Sequence, residues 1–120
     1  YKLNFKMPSL ILHIDEIKEN TLKNSVVKTI EKNMIKIIEE KLEAEKNNCQ
    51  IIWVSSKILS SNYKIFGELK FREKTTRNMK RRKECLKQIN EILQKKFNVS
   101  VRLRAFSIKE ETITALDFKN

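Results

Sequence analysis

The chain has 120 residues, of which 40% are hydrophobic, and its formal net charge is +11. This length provides one domain with one core, and this apolar content excludes a disordered basic tail. No apolar run approaches the ~20 residues that a membrane-spanning helix needs. The two cysteines and the single histidine are too few for a zinc site, which needs about four such ligands.

The first half of the chain predicts a strand, a long helix and a second strand. Residues 9–14 are a short, mostly apolar run that predicts a buried strand. Apolar residues at three- and four-residue spacing predict an amphipathic helix over residues 21–46. Asn47 and Asn48 are typical of a helix stop, because Asn tolerates the left-handed conformation. Residues 51–54 are rich in β-branched and aromatic side chains and predict the second strand.

The second half predicts a strand, a helix and a last strand. Residues 63–72 alternate between apolar and polar and should form a hairpin with the strand at 51–54. The apolar spacing over residues 75–97 predicts the second helix, which we expect to begin at a threonine cap and to end at Asn98. Residues 99–104 alternate again and predict a half-buried strand.

The element order β-α-β-β-α-β predicts an α+β fold of the split βαβ, ferredoxin-like kind. In that architecture two helices cover one face of a mainly antiparallel sheet. We expect residues 1–120 to be a single domain, which would also fit a piece excised from a longer protein. Residues 9–104 would form its core and residues 105–120 a C-terminal extension. Three residues make the extension too apolar to be free: Ile113, Leu116 and Phe118.

The positive charge is concentrated in one third of the chain. Between Lys70 and Arg104 there are 13 basic residues against three acidic ones, so this segment carries +10 of the net +11. All six arginines lie within it. A local basic block inside a folded segment is typical of a protein that binds a polyanion. The sequence therefore predicts a non-catalytic nucleic-acid-binding domain, with DNA or RNA as the partner.

Two sets of cations would contact the phosphates. The second helix presents one set, namely Arg77, Lys80, Arg81, Lys83 and Lys87. The strands present the other, namely Lys70, Arg72, Arg102 and Arg104. Trp53 and Phe66 would stack bases if they lie on the helix-free face of the sheet, and the alternative is that they belong to the core.

Two other functions stay open at this stage. The chain could be a protein-interaction or scaffold domain, with an acidic protein or a second copy as its partner. It could also be a metal-dependent nuclease, because Glu68-Leu69-Lys70 resembles the second half of the PD-(D/E)xK nuclease signature. The segment 50–61 offers no further acid, and Asp15 is the nearest candidate. We expect no cofactor, no metal and no catalysis.

His13 and the two cysteines suggest structural roles. His13 lies between apolar neighbours on the first predicted strand, where a lone histidine is usually structural. Cys49 and Cys85 are far apart in sequence and predict two reduced, buried thiols. Such thiols favour an intracellular, reducing compartment, the cytoplasm or a nucleus.

Overall fold

Four strands and three helices form the fold in the computed structural model, which describes residues 8–19, 23–45 and 47–120. The strands are β1 (Ser9–Asp15), β2 (Gln50–Ser56), β3 (Tyr63–Arg72) and β4 (Ser100–Ile108). The helices are α1 (Glu16–Glu19), α2 (Asn24–Lys41) and α3 (Met79–Phe97), and a 3-10 turn follows at Glu110–Thr112. The predicted beginning of the first helix, at residues 21–22, lies outside the described residues. None of the described helices is long and apolar enough to cross a membrane.

The sheet is mixed, with the strand order β2-β1-β3-β4. β1 pairs in parallel with β2 and antiparallel with β3, and β3 pairs in parallel with β4. The small α+β domain thus consists of two β-α-β units joined through β1 and β3. The prediction of a mainly antiparallel sheet is wrong, and so is the predicted hairpin, because β1 separates β2 from β3. The physical reason is that a helix-long connection returns the chain beside its first strand in parallel.

The hydrophobic core lies between the sheet and the two long helices. Leu10, Leu12 and Ile14 of β1 are almost completely buried, as are Ile30, Met34 and Ile38 of α2 and Cys85, Ile89 and Leu93 of α3. Little room remains at the centre of the sheet. A Cβ atom on Gly67 would lie 2.6 Å from Leu12 Cδ2 and 2.7 Å from Leu103 Cδ2.

Trp53 belongs to this core and does not lie on the helix-free face of the sheet. Its ring centroid is 6.2 Å from that of Phe97, the last residue of α3. Its neighbour Ile52 is instead 38% exposed on the other face. Of the two predicted aromatic residues, only Phe66 lies on the helix-free face.

Local capping explains both ends of α3. The helix begins after Asn78, whose side chain accepts a hydrogen bond from the backbone N–H of Arg81 at 3.0 Å. Asn therefore replaces the expected threonine cap. The helix ends at Asn98 in the left-handed conformation, with φ 51°, as the sequence predicts.

Long-range contacts explain why α2 ends five residues before the predicted boundary. The buried Arg77 donates from Nε to the carbonyl oxygen of Leu42 at 2.7 Å. Arg81 donates to the carbonyl oxygens of Lys41 and Glu40, both at 2.7 Å. The two guanidinium groups therefore satisfy three of the carbonyls that a helix C-terminus leaves free. No local sequence pattern in α2 encodes this stop.

The two cysteines are free thiols that pack with the core. Burial, with a smaller contribution from Glu39, raises the pKa of Cys49 to about 11. Burial, assisted by Cys49, raises the pKa of Cys85 to about 12. Both thiols stay protonated near neutral pH and are therefore weak nucleophiles.

Candidate functional site

The helix-free face of the sheet carries the side chains that alternate with the core residues. Strand register arranges them in rows across the sheet. The row nearest to Pro8 contains Gln50, Ser9, Lys70 and Phe106. The second row contains Ile52, Ile11, Glu68 and Arg104, and the third contains Val54, His13, Phe66 and Arg102. This face therefore mixes apolar, basic and titratable side chains, and neither α2 nor α3 covers it.

A cleft of about 470 Å³ lies at the third row, and we call it the His13 cleft. Its lining comprises His13, Ser56, Lys57, Ile58, Ser61, Tyr63, Phe66 and Arg102. This volume lies within the range of small-molecule sites. The lining combines an imidazole, two cations and apolar walls. No acidic side chain contributes to it in the described part of the chain.

His13 is oriented by its neighbours in this cleft. Its Nδ1 atom lies 3.2 Å from Ser56 Oγ. The Ser56 hydroxyl lies 3.4 Å from the carbonyl oxygen of Val54, to which it donates. In the tautomer that carries a proton on Nδ1, His13 donates to Ser56 Oγ and the ring lone pair is on Nε2. The Phe66 ring lies 6.3 Å away with a tilt of 33° and supports the imidazole from the side.

Asp15 fixes the segment that forms one wall of the cleft. This carboxylate is only 8% exposed, and it accepts hydrogen bonds from the backbone N–H of Ile17 at 3.1 Å and of Ile58 at 3.4 Å. Lys64 Nζ donates to the carbonyl oxygen of Ile58 at 2.9 Å. Both backbone groups of Ile58 are therefore held. This role of Asp15 is not among the predictions from the sequence, although an aspartate that ends an apolar strand is a signal for it.

Arg102 lines the cleft with its guanidinium on an aromatic ring. Its Cζ atom lies 4.3 Å from the ring centroid of Tyr63, which is the geometry of a cation–π contact. An arginine that is held flat on an aromatic ring can still offer its N–H groups to a carboxylate. Arg102 is the only residue of the predicted phosphate-contacting set that lines the His13 cleft.

The other predicted cations are dispersed. Lys80, Lys83 and Lys87 are exposed along α3, and Arg104 is exposed on β4. Lys70 and Arg72 are half-buried at the first-row end of the sheet, where Arg72 forms an ion pair of 2.8 Å with Glu110. Arg77 and Arg81 hold the end of α2, as described above. The basic block is therefore not one continuous binding surface.

The Glu-x-Lys triplet of the nuclease hypothesis has no metal partners nearby. Glu68 and Lys70 both project from the helix-free face, in neighbouring rows. Among the described residues, no three His, Cys, Asp or Glu side chains form a group that could hold a metal ion.

The sequence matches no protein-family model and resembles none of the curated proteins. The fold, in contrast, matches many solved structures. A macrophage migration inhibitory factor-like protein from Entamoeba histolytica has a TM-score of 0.70 at 13% identity, over 91% of this chain and 95% of that one. Pt0534 inactivated by 2-oxo-3-pentynoate has a TM-score of 0.74 at 11% identity, over 90% and 92%. A fused 4-OT described as a symmetric trimer has a TM-score of 0.72 at 11% identity, over 90% and 91%.

These similarities overturn the functional predictions made from charge. The neighbours are of the migration inhibitory factor and tautomerase type, which comprises catalytic or small oligomeric proteins. The prediction of a nucleic-acid-binding domain with DNA or RNA as its partner is therefore wrong. So is the prediction that the protein is no enzyme, because 4-oxalocrotonate tautomerase is among the neighbours. The charge pattern gave a wrong prediction because two of its arginines, Arg77 and Arg81, bind backbone carbonyl oxygens within the fold.

Proposed function

We propose that the protein is a small enzyme that moves a proton on a short carboxylic acid in the His13 cleft. The supporting observation is the composition of this cleft, where Arg102 and Lys57 stand beside the imidazole of His13 and apolar walls. The fold neighbours support the same chemistry. One of them is a tautomerase, and another is inactivated by a 2-oxo acid, 2-oxo-3-pentynoate.

The geometry assigns a separate task to each side chain. Arg102, held on Tyr63, binds the carboxylate of the substrate, and Lys57 adds a second positive charge. The apolar wall of Phe66 and Ile58 contacts the carbon chain and limits access of water. His13 Nε2 takes a proton from the carbon next to the substrate carbonyl and returns it to another atom of the resulting enolate. Histidine suits this exchange because it gains and loses a proton readily near neutral pH.

Proton exchange into deuterated water tests the proposed activity directly. In ¹H NMR, the C3 signal of 2-oxobutanoate should disappear faster with the protein than in buffer alone. His13→Gln should slow this exchange at least ~10²-fold, which is the usual contribution of a general base. Lys80→Gln, a change on the exposed side of α3, is the control and should exchange like the wild type. Wild-type protein that exchanges no faster than buffer would overturn the proposal.

Two further measurements locate the reaction in the cleft. Arg102→Gln should raise the KM for 2-oxobutanoate much more than it lowers kcat, because the guanidinium binds the substrate and does not react. Incubation with 2-oxo-3-pentynoate should add the whole mass of one reagent molecule, since addition to its triple bond releases nothing. Peptide mapping should place this adduct in the His13 cleft, and an adduct elsewhere would contradict the assignment.

We also propose that the protein acts as a homo-oligomer. A similar fold forms a symmetric trimer in the fused 4-OT, and the first two rows of the helix-free face expose apolar side chains. Ile52 is 38% and Phe106 is 41% exposed there, beside Ile11. Light scattering after size exclusion should give a multiple of the 14.3 kDa chain mass. A monomer at every concentration up to ~100 μM, where interfaces with Kd near 1 μM are saturated, would contradict this part.

A further inference from the structure

The segment between β2 and β3 forms a wall of the His13 cleft without regular backbone structure. Residues 57–62 belong to no helix or strand, yet Lys57, Ile58 and Ser61 line the cleft. A segment of this kind keeps one position only where its backbone groups are bonded to the rest of the fold. Its fixed points therefore decide where Lys57 stands relative to the imidazole of His13.

Ile58 is the residue at which this segment is fixed. Its N–H donates to Asp15 Oδ2 at 3.4 Å, and its carbonyl oxygen accepts from Lys64 Nζ at 2.9 Å. Asp15 ends β1 and Lys64 lies at the start of β3, so two strands hold one residue between them. We call Asp15, Ile58 and Lys64 the Ile58 clasp. Lys57 lies between this clasp and Ser56, which pairs with Asp15 in the sheet, so its backbone is held on both sides.

The carboxylate of Asp15 suits this task better than any neutral side chain. Asp15 is buried, with Oδ1 on the backbone N–H of Ile17 at 3.1 Å and Oδ2 on that of Ile58. A carboxylate accepts at both oxygens, whereas an amide has a single acceptor oxygen. A buried N–H that loses its acceptor costs free energy. Asparagine at this position would therefore leave one of the two N–H groups unpaired.

β1 carries both the proposed base and this part of the clasp. His13 and Asp15 are two positions apart, so their side chains leave the strand on the same side. One strand thus fixes the separation between the imidazole and the segment that contains Lys57. Arg102 comes instead from β4 and lies on the ring of Tyr63. The two cations of the cleft are therefore positioned by independent contacts.

We propose that Asp15 is a positioning residue, which acts on the substrate through Lys57. This inference rests on the proposed function, in which Lys57 and Arg102 bind the substrate carboxylate. Asp15 touches neither the substrate nor the proton in transit. It holds Ile58 so that the ammonium of Lys57 stays in the cleft. Loss of Asp15 therefore weakens substrate binding and leaves proton transfer by His13 intact.

A double-mutant cycle on the exchange of 2-oxobutanoate protons tests this connection. Lys57→Gln and Asp15→Ala should each raise the KM at least ~10-fold, because each removes the same ionic contact with the substrate. The double variant should exceed Asp15→Ala by no more than ~2-fold, since the two residues act through one contact. The kcat should stay within ~2-fold of the wild type throughout, as is expected when only binding is lost. A double variant whose KM is the product of the two single effects would overturn the proposal.

Arg102 provides the matched comparison for this cycle. Arg102→Gln with Asp15→Ala should raise the KM by the product of the separate effects, because the contact of Arg102 with Tyr63 does not involve the clasp. A general disturbance of the fold by Asp15→Ala would couple to Arg102 as strongly as to Lys57. Equal coupling to both cations would therefore also overturn the proposal.

Two milder variants carry the test if Asp15→Ala does not fold. Asp15→Asn keeps one acceptor oxygen and should give a KM between those of the wild type and Lys57→Gln. Lys64→Met removes the bond to the Ile58 carbonyl and should raise the KM ~3-fold. Lys80→Met, on the exposed side of α3, is the control and should leave the KM unchanged. Wild-type KM values in both Asp15→Asn and Lys64→Met would contradict the positioning role.

NMR measurements on the full chain separate this inference from the proposed activity. The amide proton of Ile58 should exchange with deuterated water at least ~10-fold faster in Asp15→Asn than in the wild type, and unchanged exchange would refute the clasp. Titration with 2-oxobutanoate gives the Kd without any turnover, and Asp15→Asn should raise this Kd unless Lys57→Gln is already present. A wild type that binds 2-oxobutanoate without exchanging its protons would refute the proton-transfer function alone. An equal Kd in the wild type and Asp15→Asn would refute the positioning role alone.

Discussion

Arg77, just before α3, and Arg81, in its first turn, differ from the lysines along the helix in what they contact, although all of them belong to the same basic block. Arg77 is 4% exposed and bridges two parts of the backbone, with Nε on the carbonyl of Leu42 and Nη1 on that of Arg72 at 3.0 Å. Its Cζ also lies 5.9 Å from the ring centroid of Phe71. Lys80, Lys83 and Lys87 are exposed, about one, two and three helical turns further along.

The difference reflects the chemistry of the two side chains. A guanidinium has five donors in a flat array and is less strongly hydrated than an ammonium, so it can be buried against carbonyl oxygens. A lysine ammonium keeps its water and stays at the surface. A count of positive charges treats both residues alike, and it therefore cannot tell structural cations from cations available to a ligand.

The largest difference that we expect between these arginines and lysines is the change in the free energy of unfolding when one of them is replaced. Arg77→Met should lower the free energy of unfolding by roughly 2–4 kcal/mol, because two backbone carbonyls lose a charged donor and stay buried. Lys80→Met should change it by less than ~0.5 kcal/mol, as is usual for an exposed position. Urea unfolding followed by circular dichroism measures both.

A lysine substitution sharpens this contrast. Arg77→Lys keeps the charge but cannot reach two carbonyls at once, so it should recover only a minor part of the lost stability. Burial lowers the pKa of the Arg77 guanidinium, and a less basic ammonium at that position would be harder still to keep charged. Full stability of Arg77→Lys would contradict the bridging role and leave only a charge effect.

How far the sequence predicts this molecule depends on the range of the contacts involved. The alternation in 63–72 correctly assigns each side chain of β3 to its face, and Asn98 correctly marks the end of α3, because both features depend on local geometry. The end of α2 could not be predicted, since Arg77 and Arg81 reach it from more than 30 residues away. The pairing of β1 with both β2 and β3 is also non-local.

The candidate site could not be predicted from the sequence, because its residues also come together through non-local contacts. His13, Ser56 and Arg102 come from three different strands, and only the strand order of the mixed sheet brings them together. As single residues they carry no motif. The sequence identified Arg102 for its charge alone and assigned His13 to a structural role.

The buried Cys85 on α3 should also affect stability differently from the exposed lysines. Its contribution to the free energy of unfolding should depend on pH in the alkaline range. Cys85 has a pKa of about 12 in the folded protein, against an ordinary value of 9.0. A raised pKa means that the folded state keeps its proton while the unfolded chain releases it. This contribution to stability is complete below pH 9.0 and is lost as the pH rises towards 12.

Chemical denaturation at a series of pH values tests the effect of Cys85. Wild-type stability should fall from pH 9 to pH 11, and the fall should be shallower in Cys85→Ala, whatever the loss of packing costs at neutral pH. The difference between the two curves isolates the thiol from the lysines and tyrosines that titrate in the same range. Parallel curves would show that Cys85 does not titrate as its burial predicts.

Replacing Arg81 should lower the free energy of unfolding by less than replacing Arg77 and by more than replacing an exposed lysine. Arg81 is half-buried and donates to the carbonyl oxygens of both Lys41 and Glu40, but water can partly replace it. Arg81→Gln should therefore cost about 1 kcal/mol, against no measurable change for Lys95→Gln in the last turn of α3. Hydrogen exchange should show faster opening of the last turn of α2 in Arg81→Gln only. Unchanged exchange there would mean that Arg77 alone holds this helix end.

The exposed lysines should show a small effect of the opposite sign. Lys80, Lys83 and Lys87 are three and four residues apart on one helix, and like charges at such spacings repel by ~0.2–0.5 kcal/mol per pair. Replacing all three by glutamine should therefore stabilise the fold by about 0.5 kcal/mol at low ionic strength. At ~1 M salt the Debye length is only ~3 Å, and the gain should vanish. A loss of stability at low salt would mean that these lysines, like the arginines, hold parts of the fold together.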